Sequence, residues 1–432
     1  MKKILLFATL LMAFTVGCDD DSATTPPTSS ESDPSTSTAT PDETLSLSPT
    51  TLSLQTGDTS SLSATFLSSS STPSDVDWTS SDTSVAQVDN NGAVVAVGAG
   101  SATITAEASD SSSKCDITVT PSIYIYGSLS SSSASYSILW RNGTLVDSLV
   151  NQYDDVSAAS IWVGDGDVYT TQNLVEYGGL STVSVSKNGT TLYTLQSSAE
   201  GYNASDMYVY NNTVYVVGNE VDSLYQSSAV IWINGSVTEL TADTISSQAN
   251  GIFVNSTNRY IAGYSQNGSN VQVPTLWSGS TPTYLSTSEG YANGVFVDGS
   301  DVYVVGQVSD SATVWVNGTA TRLSGASSGS SSALAVYVYN SDVYIAGFIT
   351  NSSGAQTPAY WKNGTVTTLT TSNGSVFGSA SSIAAYGSDV YIGGTAYGPS
   401  SFTRIATFWK NGTATNLITS TSNTSVAKLF LR

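Results

Sequence analysis

Apolar residues in this chain fall in short runs separated by polar turns. The stretch from Ser341 to Leu369 shows the pattern clearly. It reads Val343-Tyr344-Ile345, a polar loop, a run ending on Tyr360-Trp361, then Asn363-Gly364 and a return to Leu369. Runs of β-branched and aromatic residues bounded by Gly, Asn, Asp and Ser predict β-strands. Asn-Gly between two such runs predicts a tight hairpin, because a type I′ turn needs positive φ at both central residues. Several runs are apolar on consecutive residues, such as Ala333 to Tyr339. That suits strands covered on both faces, where a one-sided sheet would alternate.

The same unit recurs from residue 122 onward. The turn appears as Asn142-Gly143, Asn188-Gly189, Asn234-Gly235, Gly279-Ser280, Asn317-Gly318, Asn363-Gly364 and Asn411-Gly412. A tryptophan precedes six of the seven turns (Trp140, Trp232, Trp277, Trp315, Trp361, Trp409), and Ser186 stands in the second copy. A Val-Tyr-type strand comes earlier in each copy. Ten residues before that strand, the last six copies carry an alanine: Ala158, Ala204, Ala249, Ala292, Ala333 and Ala380. Four strands (A to D) repeated seven times at this period predict a seven-bladed β-propeller over 122–432. The first copy begins at strand B and lacks strand A. The final run, Val426 to Leu431, copies the strand-A pattern with Val426 at the alanine position, so the C-terminal strand is expected to close blade one. A β-helix or stacked sandwiches are the alternative folds. The repeat loosely resembles extracellular propeller repeats of the A-F-x-W-x-x-G type, and Kelch repeats match less well.

The first third of the chain differs. Lys2-Lys3, the apolar run Ile4 to Val16 and Gly17-Cys18 make residues 1–18 a targeting leader, too short to span a bilayer, which needs about 20 apolar residues. It resembles a bacterial lipoprotein signal, which implies lipidation at Cys18; Thr15 stands where that family has leucine. An ordinary secretory signal is the alternative. Asp19-Asp20-Asp21 resembles the surface-export signal of Bacteroidota lipoproteins. The resemblance implies an envelope location, lipid-anchored at the outer membrane and facing outside. Residues 19–44, rich in Ser, Thr, Pro and Asp, predict a disordered tether.

Residues 45–121 carry Trp78-Thr79-Ser80-Ser81-Asp82, then Ser84-Val85-Ala86-Gln87-Val88-Asp89, then Asn91-Gly92-Ala93-Val94, then Gly100-Ser101-Ala102-Thr103-Ile104-Thr105-Ala106. This order resembles the group-2 bacterial immunoglobulin-like domain. The resemblance implies a small β-sandwich serving as a spacer or adhesive module. Trp78 is expected as a buried core anchor and Cys115 as a small core residue. The fold class expected for the whole is all-β.

Composition narrows the function. Lys+Arg is 12 against Asp+Glu 33, a net charge of -21. So negative a chain does not suit nucleic acid, and it reaches a membrane through its anchor alone. With no histidine in the chain, Ser-His-Asp catalysis and histidine-based zinc sites are excluded. No cofactor or metal motif is identified. Asp165-Gly166-Asp167 and Asp298-Gly299-Ser300-Asp301 look like calcium loops, but they fall at A–B hairpins, where Asp and Gly are ordinary turn residues.

The A–B and C–D connections are tight, whereas the B–C and D–A loops are longer and vary between copies. Function is therefore sought on the long-loop face. Two D–A loops share a motif, Glu200-Gly201-Tyr202-Asn203 and Glu289-Gly290-Tyr291-Ala292-Asn293, and another offers Asp154 and Asp155. These residues are expected to ring the mouth of a central channel. Carboxylates, amides and tyrosines suit a glycan or a protein ligand. The expectation is a monomeric surface protein that binds such a ligand. A carboxylate-dependent glycan-active enzyme and a purely structural envelope protein are the alternatives.

Overall fold

The computed structural model describes residues 44–432 apart from 74, 132–133, 151–154, 165, 176–180, 196–200, 241–245, 324, 326–328, 353, 372–376, 399–402 and 419–421. Cys18, the leader and the tether therefore lie outside the described residues. Every regular element among the described residues is a β-strand.

The first domain is built from three small sheets around one core. Leu45–Ser48 pairs with Ser63–Phe66. Thr51–Gln55 runs parallel to Ser111–Thr120, which pairs in turn with Gly100–Ala108, and that strand with Asp77–Ser80. Thr59–Ser61, Ala93–Ala96 and Ala86–Val88 form the third sheet. Alternation decides which side chains go inside: Ala102, Ile104, Ala106 and Ala108 from one strand meet Cys115, Ile117 and Val119 from the next. Cys115 is fully enclosed, and its desolvation pushes the thiol pKa up. Trp78 departs from expectation. It is only partly buried and packs on the edge of this core. Gly92, at φ +77°, lies against its ring, and a Cβ there would come within 2.6 Å of the Leu62 carbonyl oxygen, so only glycine fits.

The repeats fold as seven four-stranded antiparallel sheets, ordered A-B-C-D, with units two and three linked by one parallel bridge between Ser181 and Gly201. Strand A of units two to seven is Asp155–Gly164, Gly201–Tyr210, Ser247–Val254, Gly290–Asp298, Ser331–Tyr339 and Gly378–Tyr386. Unit one takes its strand A from the end of the chain. Asn423–Leu431 pairs antiparallel with the strand B Ile123–Ser130. Each strand A carries a bulge at the residue after the alanine position, and Ala427 is the bulged residue in unit one. The A strands pack side by side in the order two to seven, then one, and one packs on two. The six tryptophans are all buried, each at the end of a strand C and among residues of two adjacent units, as Trp361 is among those of units five and six.

The Asn-Gly turns do more than reverse the chain. In six units both residues have positive φ, near +50° for Asn and +80° for Gly, as a type I′ turn requires. The asparagine Oδ1 also accepts the N–H of a residue in strand B of the same sheet, from Ile123 to Val390, at 2.8–2.9 Å. In units two, six and seven its Nδ2 donates to an aspartate (Asp167, Asp342 or Asp389), which a lysine also binds (Lys187, Lys362 or Lys410). The lysine lies over the tyrosine two residues past the aspartate. Those lysine contacts hold the three carboxyl pKa values below the usual range. Asp167 and Asp301, from the calcium-like loops, both accept a turn asparagine.

The two domains meet at Ser122. Its N–H donates to the Arg432 carbonyl and its carbonyl accepts the Arg432 N–H, while its hydroxyl donates to the Thr56 carbonyl. Arg141 donates to the same Thr56 carbonyl and pairs with Asp58 at 2.9 Å. Asn142 donates to Gln55 at 2.6 Å.

Candidate functional site

The described loop-start residues do not share one cavity. Tyr202 is 6% exposed and packs edge-on against Trp232, their ring centroids 5.1 Å apart. This corrects the expectation of a residue at the channel mouth. Strand A already begins at Gly201, so Tyr202 is a strand position and its side chain lies on the sheet opposite Glu220. Burial and then Glu220 push its phenol pKa up. Tyr291 takes the equivalent place opposite Gln307, to which its hydroxyl donates at 3.1 Å. Asn203 accepts from Ser181, and Glu289 and Asp155 are exposed. Only Asn293 borders the cavity between the A strands. Glu200 and Asp154 lie outside the described residues.

That cavity, about 430 Å³, is bordered by the A strands of all seven units. Counting along strand A from the alanine position gives its depth, at about 3.3 Å per residue. The fourth residue is aromatic in six units: Trp162, Tyr208, Phe253, Phe296, Tyr337 and Phe430. All six border the cavity, as does Ala384, the seventh. Tyr208, Phe253, Phe296 and Tyr337 form an unbroken arc, with successive centroids 5.1 to 5.2 Å apart and rings tilted by 52–60°. Tilted contacts of this kind are favourable for ring quadrupoles. Burial pushes the phenols of Tyr208 and Tyr337 up, so both stay protonated.

Above this collar, toward the long loops, comes the second residue after the alanine. It is small or polar in five units (Ser160, Gly251, Gly294, Ala335, Ser382) and charged in two. Gly251 is small for a reason, since a Cβ would come within 2.8 Å of the Asn293 carbonyl oxygen on the next strand. The two charges meet, Lys428 of unit one binding Asp206 of unit three. Asp206 also accepts the Ser160 hydroxyl at 2.7 Å and the N–H groups of Met207 and Ile252. At the mouth, Asn250 and Asn293 each donate to the carbonyl of the next strand's alanine. The order inward is thus amides, an ion pair, then rings. The signal was in the sequence, as an aromatic four residues after five of the six alanines and after Val426, but a lone aromatic in an apolar strand reads as core. Lys428 and Asp206 are 222 residues apart, and nothing local connects them.

One long loop stands out. Three B–C loops share a geometry in which an Asp or Asn side chain accepts the N–H four residues on: Asp222 from Gln226, Asn267 from Val271 and Asn351 from Ala355. The residue three after it has positive φ in each case: Gly354, Asn270 and Tyr225. Glycine and asparagine adopt that conformation readily, but a bulky residue is strained there, by roughly 1–2 kcal/mol. Tyr225 is nonetheless 80% exposed, and Leu224 beside it 73%.

Among solved structures the chain is similar to a puromycin-hydrolyzing peptidase of Mycobacterium tuberculosis, at 11% identity and a TM-score of 0.45 over 75% of this chain; it spans 52% of that protein. It is also similar to AztD of Citrobacter koseri, at 8% identity and a TM-score of 0.37, covering 72% of this chain and 98% of that one. A mutant of the Aleuria aurantia lectin shows 12% identity and a TM-score of 0.33, covering 62% and 90%. These are loose likenesses, and no activity passes from them to this chain. No curated protein matches it. The family match is local: residues 43–119 fit the model of the bacterial Ig-like domain, group 2.

Proposed function

We propose that this chain is a lipid-anchored protein of the bacterial cell envelope that binds a glycan or protein through its long-loop face. The seven sheets would close as a seven-bladed β-propeller, with Cys18 as the lipidated residue and the immunoglobulin-like domain as a spacer. Closure is supported by the cyclic packing of the A strands and by the pairing of Asn423–Leu431 with Ile123–Ser130. Lipid anchoring and an outward-facing position rest on the leader and the acidic run after Cys18. The protein would act as a monomer. Binding is favoured over glycan hydrolysis because Asp206 is the one carboxylate among the described residues lining the cavity, and glycoside hydrolysis uses a pair.

The observation that carries the binding role is Tyr225. A loop of this form holds glycine or asparagine in the sister units, so tyrosine there lowers stability and leaves a largely apolar ring in water. Strain kept at an exposed position points to a contact made elsewhere. Tyrosine suits that use, offering a rigid, partly apolar face with a hydrogen-bonding tip. The test is Tyr225→Gly in the full chain, read by calorimetry and on glycan and extracellular-protein arrays. We expect stability to rise, by up to about 1 kcal/mol, while binding falls. A variant that binds like the parent would remove the loop from the binding face. A parent that binds neither array would overturn the function.

A further inference from the structure

We propose that the cavity between the A strands is a pocket for one pyranose residue, in which the Lys428–Asp206 pair reads a sugar hydroxyl. This rests on the binding role above and adds the ligand's class and its place. At about 430 Å³ the cavity lies within the usual range for ligand pockets, roughly 300–1,000 Å³, and shares their make-up of rings with a few placed polar groups.

The polar groups select the ligand. The Lys428 ammonium carries three N–H bonds and Asp206 takes one of them. Asp206 Oδ2 accepts a single longer bond, 3.2 Å, from the Ile252 N–H. The pair thus offers a donor and an acceptor side by side with no net charge. An anion placed there would face Asp206, and a cation would face Lys428. A neutral hydroxyl satisfies both, accepting from the ammonium and donating to the carboxylate. Farther out, Asn250 and Asn293 use their Nδ2 groups on neighbouring carbonyls, which turns the amide oxygens into acceptors for further hydroxyls. Below the pair, the arc from Tyr208 to Tyr337 presents ring surface. A pyranose has this same division, with hydroxyls around its edge and an apolar C–H face. Gly294 and Ala335, which border the same cavity, carry little or no side chain and leave room.

The experiment titrates the full chain with methyl glycosides of glucose, galactose, mannose, fucose, xylose and N-acetylglucosamine. Binding is followed by saturation-transfer NMR and by tryptophan fluorescence, which Trp162 in the collar should report. The variants are Phe296→Leu, which removes ring surface but keeps an apolar side chain, and the double variant Lys428→Met with Asp206→Asn, which leaves no buried charge unpaired. We expect at least one glycoside to saturate the parent, and both variants to weaken it about tenfold or more while Phe296→Leu keeps the parent's circular dichroism and a cooperative melt. If glycans bind on arrays and depend on Tyr225 but ignore both variants, the pocket is wrong and the binding role stands. If no glycoside saturates the parent, the pocket is overturned directly. Should the double variant fail to fold, Phe296→Leu decides alone.

Discussion

The two folded regions solve the same problem differently. The first domain encloses one core with three small sheets, and its key residues, such as Ile104 and Cys115, lie within a single cluster. The repeats have no shared core. Their buried residues divide into clusters that each straddle adjacent units, as Val217 and Ile231 of unit three do with Ala249 and Trp277 of unit four. Stability in the first domain is thus a property of one centre. In the repeats it is a property of every junction, and one missing strand is felt around the set.

Removing Val426–Arg432 should have the largest effect. It strips Ile123–Ser130 of a partner along one edge and Asp206 of its lysine. Scanning calorimetry should show the repeat transition lost or strongly lowered while the first domain melts as before. Equal melting of both forms would mean that the junctions are independent. A smaller effect is expected from single tryptophans. Trp361→Ala should cost about 3–5 kcal/mol, as for a fully buried aromatic, and Trp78→Ala about half as much, because Trp78 lies on the edge of its core. Denaturant titration of each variant checks the ratio, and equal losses would erase the distinction. The smallest contrast lies in one dipeptide. Asn363 has positive φ and holds the Val343 N–H, so Asn363→Ala should cost about 2 kcal/mol. In Asn91-Gly92 only the glycine has positive φ. Asn91→Ala should therefore change stability by about 0.5 kcal/mol or less.

What could be read from the sequence follows from these differences. The strand order repeats seven times and the tryptophans and Asn-Gly turns six times each, so the period exposes them, and the final strand is recognisable because it copies a pattern already seen. Tyr202 and Tyr291 read as loop residues when strand A is counted from its alanine, whereas the strand begins three residues before Ala204 and two before Ala292. Where a strand begins decides which side a residue faces, and Gly201 and Gly290 are already paired. The collar and the ion pair belong to no single unit. They exist only when one position is followed across all seven, so local pattern cannot show them. The strain at Tyr225 is likewise invisible without the sister loops for comparison.

The joint at Ser122 also sets how the molecule carries load. A pull transmitted through the first domain reaches the repeats at the start of Ile123–Ser130, a strand bonded on both sides, to Ser135–Arg141 and to Asn423–Leu431. Drawn along its own axis, that strand loads its hydrogen bonds together, in shear. A pull applied at residue 432 and directed away from the sheet would open the same ladder one bond at a time. The joint therefore resists a pull along the strand better than one that peels it from the end.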